Sequence, residues 1–236
     1  MDIHGLQKMT LLDFPGKVAC TVFLGGCDFR CPFCHNSDLL KRSEAPVLMD
    51  DQELLAFLKT RTALLEGVCF TGGEPLLRQD LLPVIEQVRA LGFAVKLDTN
   101  GTHPERLKEL LDRGLLDYVA MDIKNAPDRY AATVGFPLPE AFAPIMDRIR
   151  ESIRLIMGSG IPYEFRTTVV REFHDEASFP AIGALIRGAS RYYLQCFTDR
   201  DKVLCEGLTA PTAEELERCR ALAAPFVGKA ELRGVD

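Results

Sequence analysis

Two hydrophobic patterns take turns along this chain. Residues 18–24 (VACTVFL) form a continuous apolar run rich in β-branched side chains, the mark of a strand covered on both faces. Asp50 and Asp51 then cap a helix over about 52–61, whose Leu54, Leu55, Phe57 and Leu58 recur at helical spacing. The alternation continues. Strands are predicted at 68–71, 93–98, 118–123, 163–170 and 192–197, with a short closing strand at 229–232. Helices are predicted at about 78–91, 104–113, 142–157, 176–187 and 212–223. Pro104 near the start of the third helix and Gly114 just past its end fit the usual asymmetry of helix ends.

Repeated strand-then-helix units at this spacing imply a parallel α/β sheet. Six units without a break in composition imply one domain. A doubly wound sheet and an open or closed (β/α) barrel both satisfy the pattern. The expected division is a lead-in at 1–17, a core at 18–197 and a C-terminal helix and tail at 198–236.

The polar residues narrow the function. Three cysteines follow the first strand, Gly72–Glu74 the second, and Asp98–Asn100 the third; Asp122 and Lys124 sit at the end of the fourth. Ligands of parallel α/β folds bind at the carboxyl ends of strands, so four consecutive junctions aim reactive groups at one face. Taken singly, each signal is weak. The two aspartates could cap turns, Lys124 could be a solvated charge, and Gly72-Gly73 could be a plain turn.

Composition changes the picture only in places. Hydrophobic residues make up 47% and charged residues 26%, enough apolar surface for a packed core. A net charge of −6 argues against binding nucleic acid through a broad basic field. The apolar stretch 18–26 is too short to cross a bilayer, and the charged N-terminal segment does not read as a signal peptide. A cytoplasmic location is expected, where thiols stay reduced. Eight cysteines then call for a reason. Cys27, Cys31 and Cys34 share one loop with C-x3-C-x2-C spacing, which reads as a metal site. Structural zinc and an ordinary iron–sulfur cube each want four protein ligands. No fourth cysteine lies near, and Cys69 sits inside an apolar strand as a small buried residue. Three thiolates on a four-iron cube leave one iron open to a substrate. Zinc closed by His35, or no metal, are the bland readings. Cys196, Cys205 and Cys219 have no tight-loop spacing and are expected as small buried residues. His4, His103 and His174 show no partner pattern.

The cysteine loop, with Phe33 before its last cysteine, resembles that of the radical S-adenosylmethionine (SAM) superfamily. Gly72-Gly73-Glu74-Pro75 resembles that superfamily's GGEP segment. The resemblance implies a partial (β/α)6 barrel, a [4Fe–4S] cluster held by Cys27, Cys31 and Cys34, and SAM chelated at the open iron. One electron from the cluster then cleaves SAM, and a 5′-deoxyadenosyl radical abstracts hydrogen. Asp13-Phe14-Pro15-Gly16-Lys17, Phe33-Cys34-His35-Asn36, Asp98-Thr99-Asn100-Gly101 and Asp122-Ile123-Lys124 resemble the branch that activates glycyl radical enzymes. The chain is most like the group acting on anaerobic ribonucleoside-triphosphate reductase. By that resemblance Phe33 approaches the adenine, and the backbone near Gly72, Gly73 and Glu74 meets the methionyl amino group. Asp98 and Asp122 hold a monovalent cation or that amino group. Lys124 pairs with the methionyl carboxylate, Arg166 contacts ribose or carboxylate, and Asn100 and His35 lie near SAM. The implied partners are a glycyl radical enzyme and a flavodoxin or ferredoxin. The His that pyruvate formate-lyase activases place after the sixth strand has no counterpart near Cys196-Phe197. The competing readings are a small-molecule enzyme such as 7-carboxy-7-deazaguanine synthase, and a non-catalytic zinc module.

Overall fold

Parallel strands dominate a single open sheet. In the computed structural model, which describes residues 1–199 and 203–234, β1 (Gly5–Thr10) runs antiparallel to β2 (Ala19–Leu24). Every later neighbour is parallel: β3 (Gly67–Gly72), β4 (Ala94–Thr99), β5 (Tyr118–Asp122), β6 (Tyr163–Val169), β7 (Tyr192–Cys196) and β8 (Ala230–Arg233). The strands lie side by side in chain order, with β1 and β8 at opposite edges. The helices are α1 (Asp51–Lys59), α2 (Leu81–Ala90), α3 (Pro104–Asp112), the single turn α4 (Tyr130–Thr133), α5 (Ala143–Gly158), α6 (Ser178–Leu185) and α7 (Ala213–Ala223). Strands β2 to β7 are the six units of the expected partial barrel. Of the tail expected at 198–236, residues 200–202 and 235–236 lie outside the described residues.

Period-two alternation gives the sheet two unlike faces. Val22, Val68, Phe70, Val95, Leu97, Val119, Met121, Phe165 and Leu194 are all fully buried in the main core. Each such side chain contributes roughly 1.5–3 kcal/mol of burial. The alternate positions carry Thr21, Cys69, Lys96, Asp98, Asp122, Glu164 and Arg166, which bond to one another or to residues of the same face. Its lower end is dry: Phe14, Ala19, Tyr118 and Ala120 form a separate small cluster. Gly67 leaves room for that plug, because a Cβ there would come within 2.9 Å of the Phe14 ring.

Local chemistry sets the element ends. Asp50 and Glu53 form a reciprocal capping box on α1, and Thr212 and Glu215 another on α7. Helices α2 and α6 begin later than the expected 78 and 176. Pro83 and Pro180 each fall in the first turn of the observed helix, where a missing N–H costs nothing. An earlier start would have put each proline in the helix interior. The expected lead-in at 1–17 contains β1, whose exposed Gln7, Lys8 and Met9 hide the strand pattern. Edge strands are often marked by such exposed polar residues, Lys above all.

Candidate active site

A cleft of about 850 Å3, mouth included, opens at the carboxyl ends of the parallel strands. Cys27, Cys31 and Cys34 line it from the β2–α1 loop, together with Phe33 and His35. Gly72 and Gly73 line it from the end of β3, Asp98 and Asn100 from β4, Asp122 and Lys124 from β5, and Arg166 from β6. Side chains from Cys27 to Arg166 thus converge on one cleft.

The loop is held from several sides. Gly73 approaches so closely that an added Cβ would sit 2.1 Å from the Gly26 carbonyl oxygen. The Glu74 N–H donates to that same oxygen at 2.7 Å. Asn36 Nδ2 donates to the Gly72 carbonyl at 2.9 Å. Arg30 Nη1 donates to the carbonyls of Cys27 (2.6 Å) and Phe29 (2.7 Å), so this guanidinium ties the loop to itself. Phe33 is buried beside Phe173 and edge-on to His174.

Glu74 is the one predicted site residue that does not line the cleft. It lies fully buried beneath it. Its Oε1 accepts from Leu76 N–H and Thr99 Oγ1, both at 2.9 Å, and its Oε2 from Asn100 N–H at 2.6 Å. Burial raises its pKa, outweighing the three donors. The carboxylate therefore fixes the turn after β4. Asn100 passes this on: its Nδ2 donates to Asp28 Oδ1 at 2.7 Å, inside the cysteine loop.

A ladder of alternating charge crosses the strand ends. Lys96 pairs with Asp98. Arg166 bridges Asp98 (Nη1 to Oδ2, 3.4 Å) and Asp122 (Nε to Oδ1, 3.0 Å). Lys124 Nζ donates to Asp122 Oδ2 at 2.9 Å. A second pair lies on the same face, where Arg233 grips Glu164 bidentately at 2.7 and 2.8 Å. Burial alone would raise both aspartates. Arg166 with Lys124 at Asp122, and Arg166 with Lys96 at Asp98, pull them below the ordinary carboxylate range instead. A depressed folded pKa means stability that is complete above the unfolded value of about 3.9 and is lost as pH falls through the folded value. Unfolding free energy is accordingly expected to drop on acidification below about pH 5, and less steeply in Asp122→Asn. Denaturant melts of the two proteins across that range check this.

Several residues depart from the sequence reading. The three histidines without a partner pattern all have neighbours. His174 donates from Nε2 to the Lys124 carbonyl at 2.7 Å and accepts at Nδ1 from Val170 N–H at 3.1 Å, bracing the backbone that carries Lys124. His4 Nδ1 accepts from Gly25 N–H at 2.9 Å, and His103 faces Asp28 at 3.4 Å. Gly25, Lys124 and Asp28 lie 21, 50 and 75 residues from their histidines, out of reach of local pattern, and Val170 alone is near in sequence, four residues from His174. Cys205 is exposed rather than buried, and its N–H donates to the Pro32 carbonyl at 2.9 Å, which seats this segment against the cysteine loop. Cys219 is buried as expected, and Cys196 is partly buried. An imidazole does lie at the end of β7, but it is His35, stacked on Phe197 at 5.6 Å and donating to the Thr198 carbonyl at 2.9 Å. Thr71 and Thr168 also line the cleft. Each stands at period two from a residue of the same face, a signal available in the strand pattern.

The donor set suits an iron–sulfur cluster with one open iron. Three cysteines line one cleft, although among the described residues no three His, Cys, Asp or Glu side chains, these thiols included, are already gathered closely enough to hold a single metal ion. His35, the fourth ligand a zinc reading needs, is engaged by Phe197 and Thr198. Burial raises all three thiols, that of Cys31 to about 11, so they hold protons until a metal displaces them.

Comparison with known proteins agrees with this geometry. Over 99% of its length the chain is 29% identical to a Methanocaldococcus jannaschii protein that carries the provisional name glycyl-radical enzyme activating enzyme, and covers 96% of it. It is 32% identical over 130 residues to the pyruvate formate-lyase-activating enzyme of Clostridium pasteurianum, spanning about half of each (53%). It is 31% identical over 171 residues to the 7-carboxy-7-deazaguanine synthase of Thermoplasma acidophilum, covering 68% of this chain and 72% of that protein. In fold it is similar to a radical SAM methyltransferase from Sphaerobacter thermophilus (TM-score 0.70, 16% identity, 95% of this chain and 68% of that one). The family model for the radical SAM superfamily matches residues 21–176, well over half of the sequence, and with the cysteine loop at the mouth of an open parallel sheet this places the chain in the radical SAM superfamily.

Proposed function

We propose that this protein activates a glycyl radical enzyme by taking a hydrogen atom from a backbone glycine of that partner. The observation that carries this reading is likeness along nearly the whole chain to a protein named as such an activase. The finer assignment is to anaerobic ribonucleoside-triphosphate reductase, with a flavodoxin or ferredoxin as electron donor, in the reducing cytoplasm. When bound, the [4Fe–4S] cluster supplies the electron that cleaves SAM to a 5′-deoxyadenosyl radical.

The chain's own residues do the placing. Cys27, Cys31 and Cys34 hold the cluster, and their thiols give up protons on loading. Lys124 and Arg166 reach the cleft with donors suited to a carboxylate. Glu74 works from below, through Thr99 and Asn100. Phe33 and His35 bring planar rings to the cleft lining, beside which a nucleoside base would stack.

The test is direct. Reduced, cluster-loaded protein is mixed with SAM and an anaerobic ribonucleotide reductase. A glycyl doublet in electron paramagnetic resonance, carried by the partner, is the expected result. A doublet only on a different glycyl radical enzyme refutes the finer assignment. The likeness to 7-carboxy-7-deazaguanine synthase supports one rival, and turnover of a free pterin with no protein partner would favour it.

A further inference from the structure

The family resemblance puts a monovalent cation between Asp98 and Asp122. The residues present do not fit one. Asp122 accepts from Arg166 at one oxygen and from Lys124 at the other. Asp98 accepts from Lys96 at Oδ1 and from Arg166 at Oδ2. All four carboxylate oxygens thus already face a protein cation. The ladder holds three cations and two anions, a surplus of one positive charge. Two further carboxyl groups stand near: Glu164 is bound by Arg233, and Asp13 accepts from Thr21 Oγ1 at 2.5 Å; Tyr118 presents its ring to Lys96. A sodium or potassium ion added here would find each oxygen of the two aspartates already taken and three protein cations beside it.

The three cations are not equivalent. Lys124 and Arg166 line the cleft, where an anionic ligand group can meet them. Lys96 does not reach it. It stands in the middle of β4, 2% exposed, beneath Asp98. We propose that the Lys96 ammonium is a tethered counterion in the place of a free monovalent cation, so that this protein binds SAM without sodium or potassium. Lys96 is on this view a positioning residue. It holds Asp98 ionised and in place, which in turn orients Arg166. The inference rests on SAM occupying this cleft, and does not depend on which partner is activated.

Equilibrium dialysis of SAM against anaerobically reconstituted protein tests it. Potassium, sodium and tetramethylammonium chloride are compared at one ionic strength, so that general screening is constant. The wild-type dissociation constant is expected to vary less than about twofold among the three salts. Lys96→Met is expected to bind roughly tenfold more weakly in tetramethylammonium, with affinity returning in potassium or sodium. A merely structural role for Lys96 would not produce rescue by a small cation. In wild type, SAM should leave the 23Na resonance width unchanged, a reading that stands even if the variant does not fold. A tenfold loss of wild-type affinity on removing both small cations, or a folded Lys96→Met that stays cation-independent, overturns the inference. Absence of SAM binding in every salt instead overturns the reading of the cleft itself, and the inference with it.

Discussion

Cys31→Ala is expected to abolish iron and acid-labile sulfide after anaerobic reconstitution, and with them the formation of 5′-deoxyadenosine from SAM. The reason is the donor count. Three cysteines from one loop line the cleft, and the family to which the chain belongs holds its cluster by three such thiolates. Two remaining thiolates cannot hold a cube that already leaves one iron without a protein ligand. Cys31 is also the most deeply buried of the three, at 6% exposure, so no exposed side chain can take its place. Cleavage should fall by orders of magnitude, because the reductant itself is gone. Cys219→Ala is the control. That thiol sits in α7, packed in the core, and its loss should leave iron, sulfide and cleavage unchanged while reducing stability modestly. Iron lost from Cys219→Ala, or retained with full cleavage in Cys31→Ala, would mean that the ligands are wrongly chosen. Zinc in place of iron in anaerobically prepared wild type would remove the chemistry altogether.

Much of this architecture could be read from the chain, and the parts that could not share a cause. Strands β2 to β7 and the helices between them follow from apolar runs and caps that lie within a few residues of one another. Eleven of the twelve site residues after Cys27 fall on the cleft because motif position at a strand end is itself a spatial statement in a parallel sheet. Glu74 is the exception, and its role is invisible in sequence. Side-chain direction at a turn depends on where Thr99 and Asn100 lie, 25 and 26 residues on. Strand β1 went unread because an exposed edge strand lacks the apolar alternation of a covered one. Lys96 was legible in principle. A lysine at the centre of a buried strand, two residues before an aspartate on the same face, signals an internal ion pair. Its consequence for the ladder required Arg166, on β6, and Lys124, two residues past the end of β5.

That ladder and the Glu74 brace divide the work of the site. The ladder sets charge at the cleft floor, and the brace sets the position of the cysteine loop. Glu74→Gln isolates the brace, since it keeps volume and removes one acceptor. The carboxylate accepts three hydrogen bonds with two oxygens, at full burial. A glutamine has one oxygen and one NH2. Turned one way, the amide faces Asn100 N–H, donor against donor. Turned the other, it faces the Leu76 N–H. Glu74 is fully buried, so one backbone donor loses its acceptor whichever rotamer is chosen. The expected cost is about 2–4 kcal/mol of unfolding free energy. The second effect is on the metal. Asn100, freed from Glu74, no longer holds Asp28 at 2.7 Å, and the loop that carries Cys27 loosens. Supporting residues of this kind typically change metal affinity by about 10–100-fold. The reconstituted variant should therefore lose iron to a chelator about tenfold faster than wild type, with unchanged loss in a surface control such as Glu151→Gln. Denaturant melts of the metal-free protein and chelator time courses of the loaded one read the two effects separately. A variant as stable as wild type that releases iron at the same rate would show that Glu74 neither supports the turn after β4 nor steadies the loop above it.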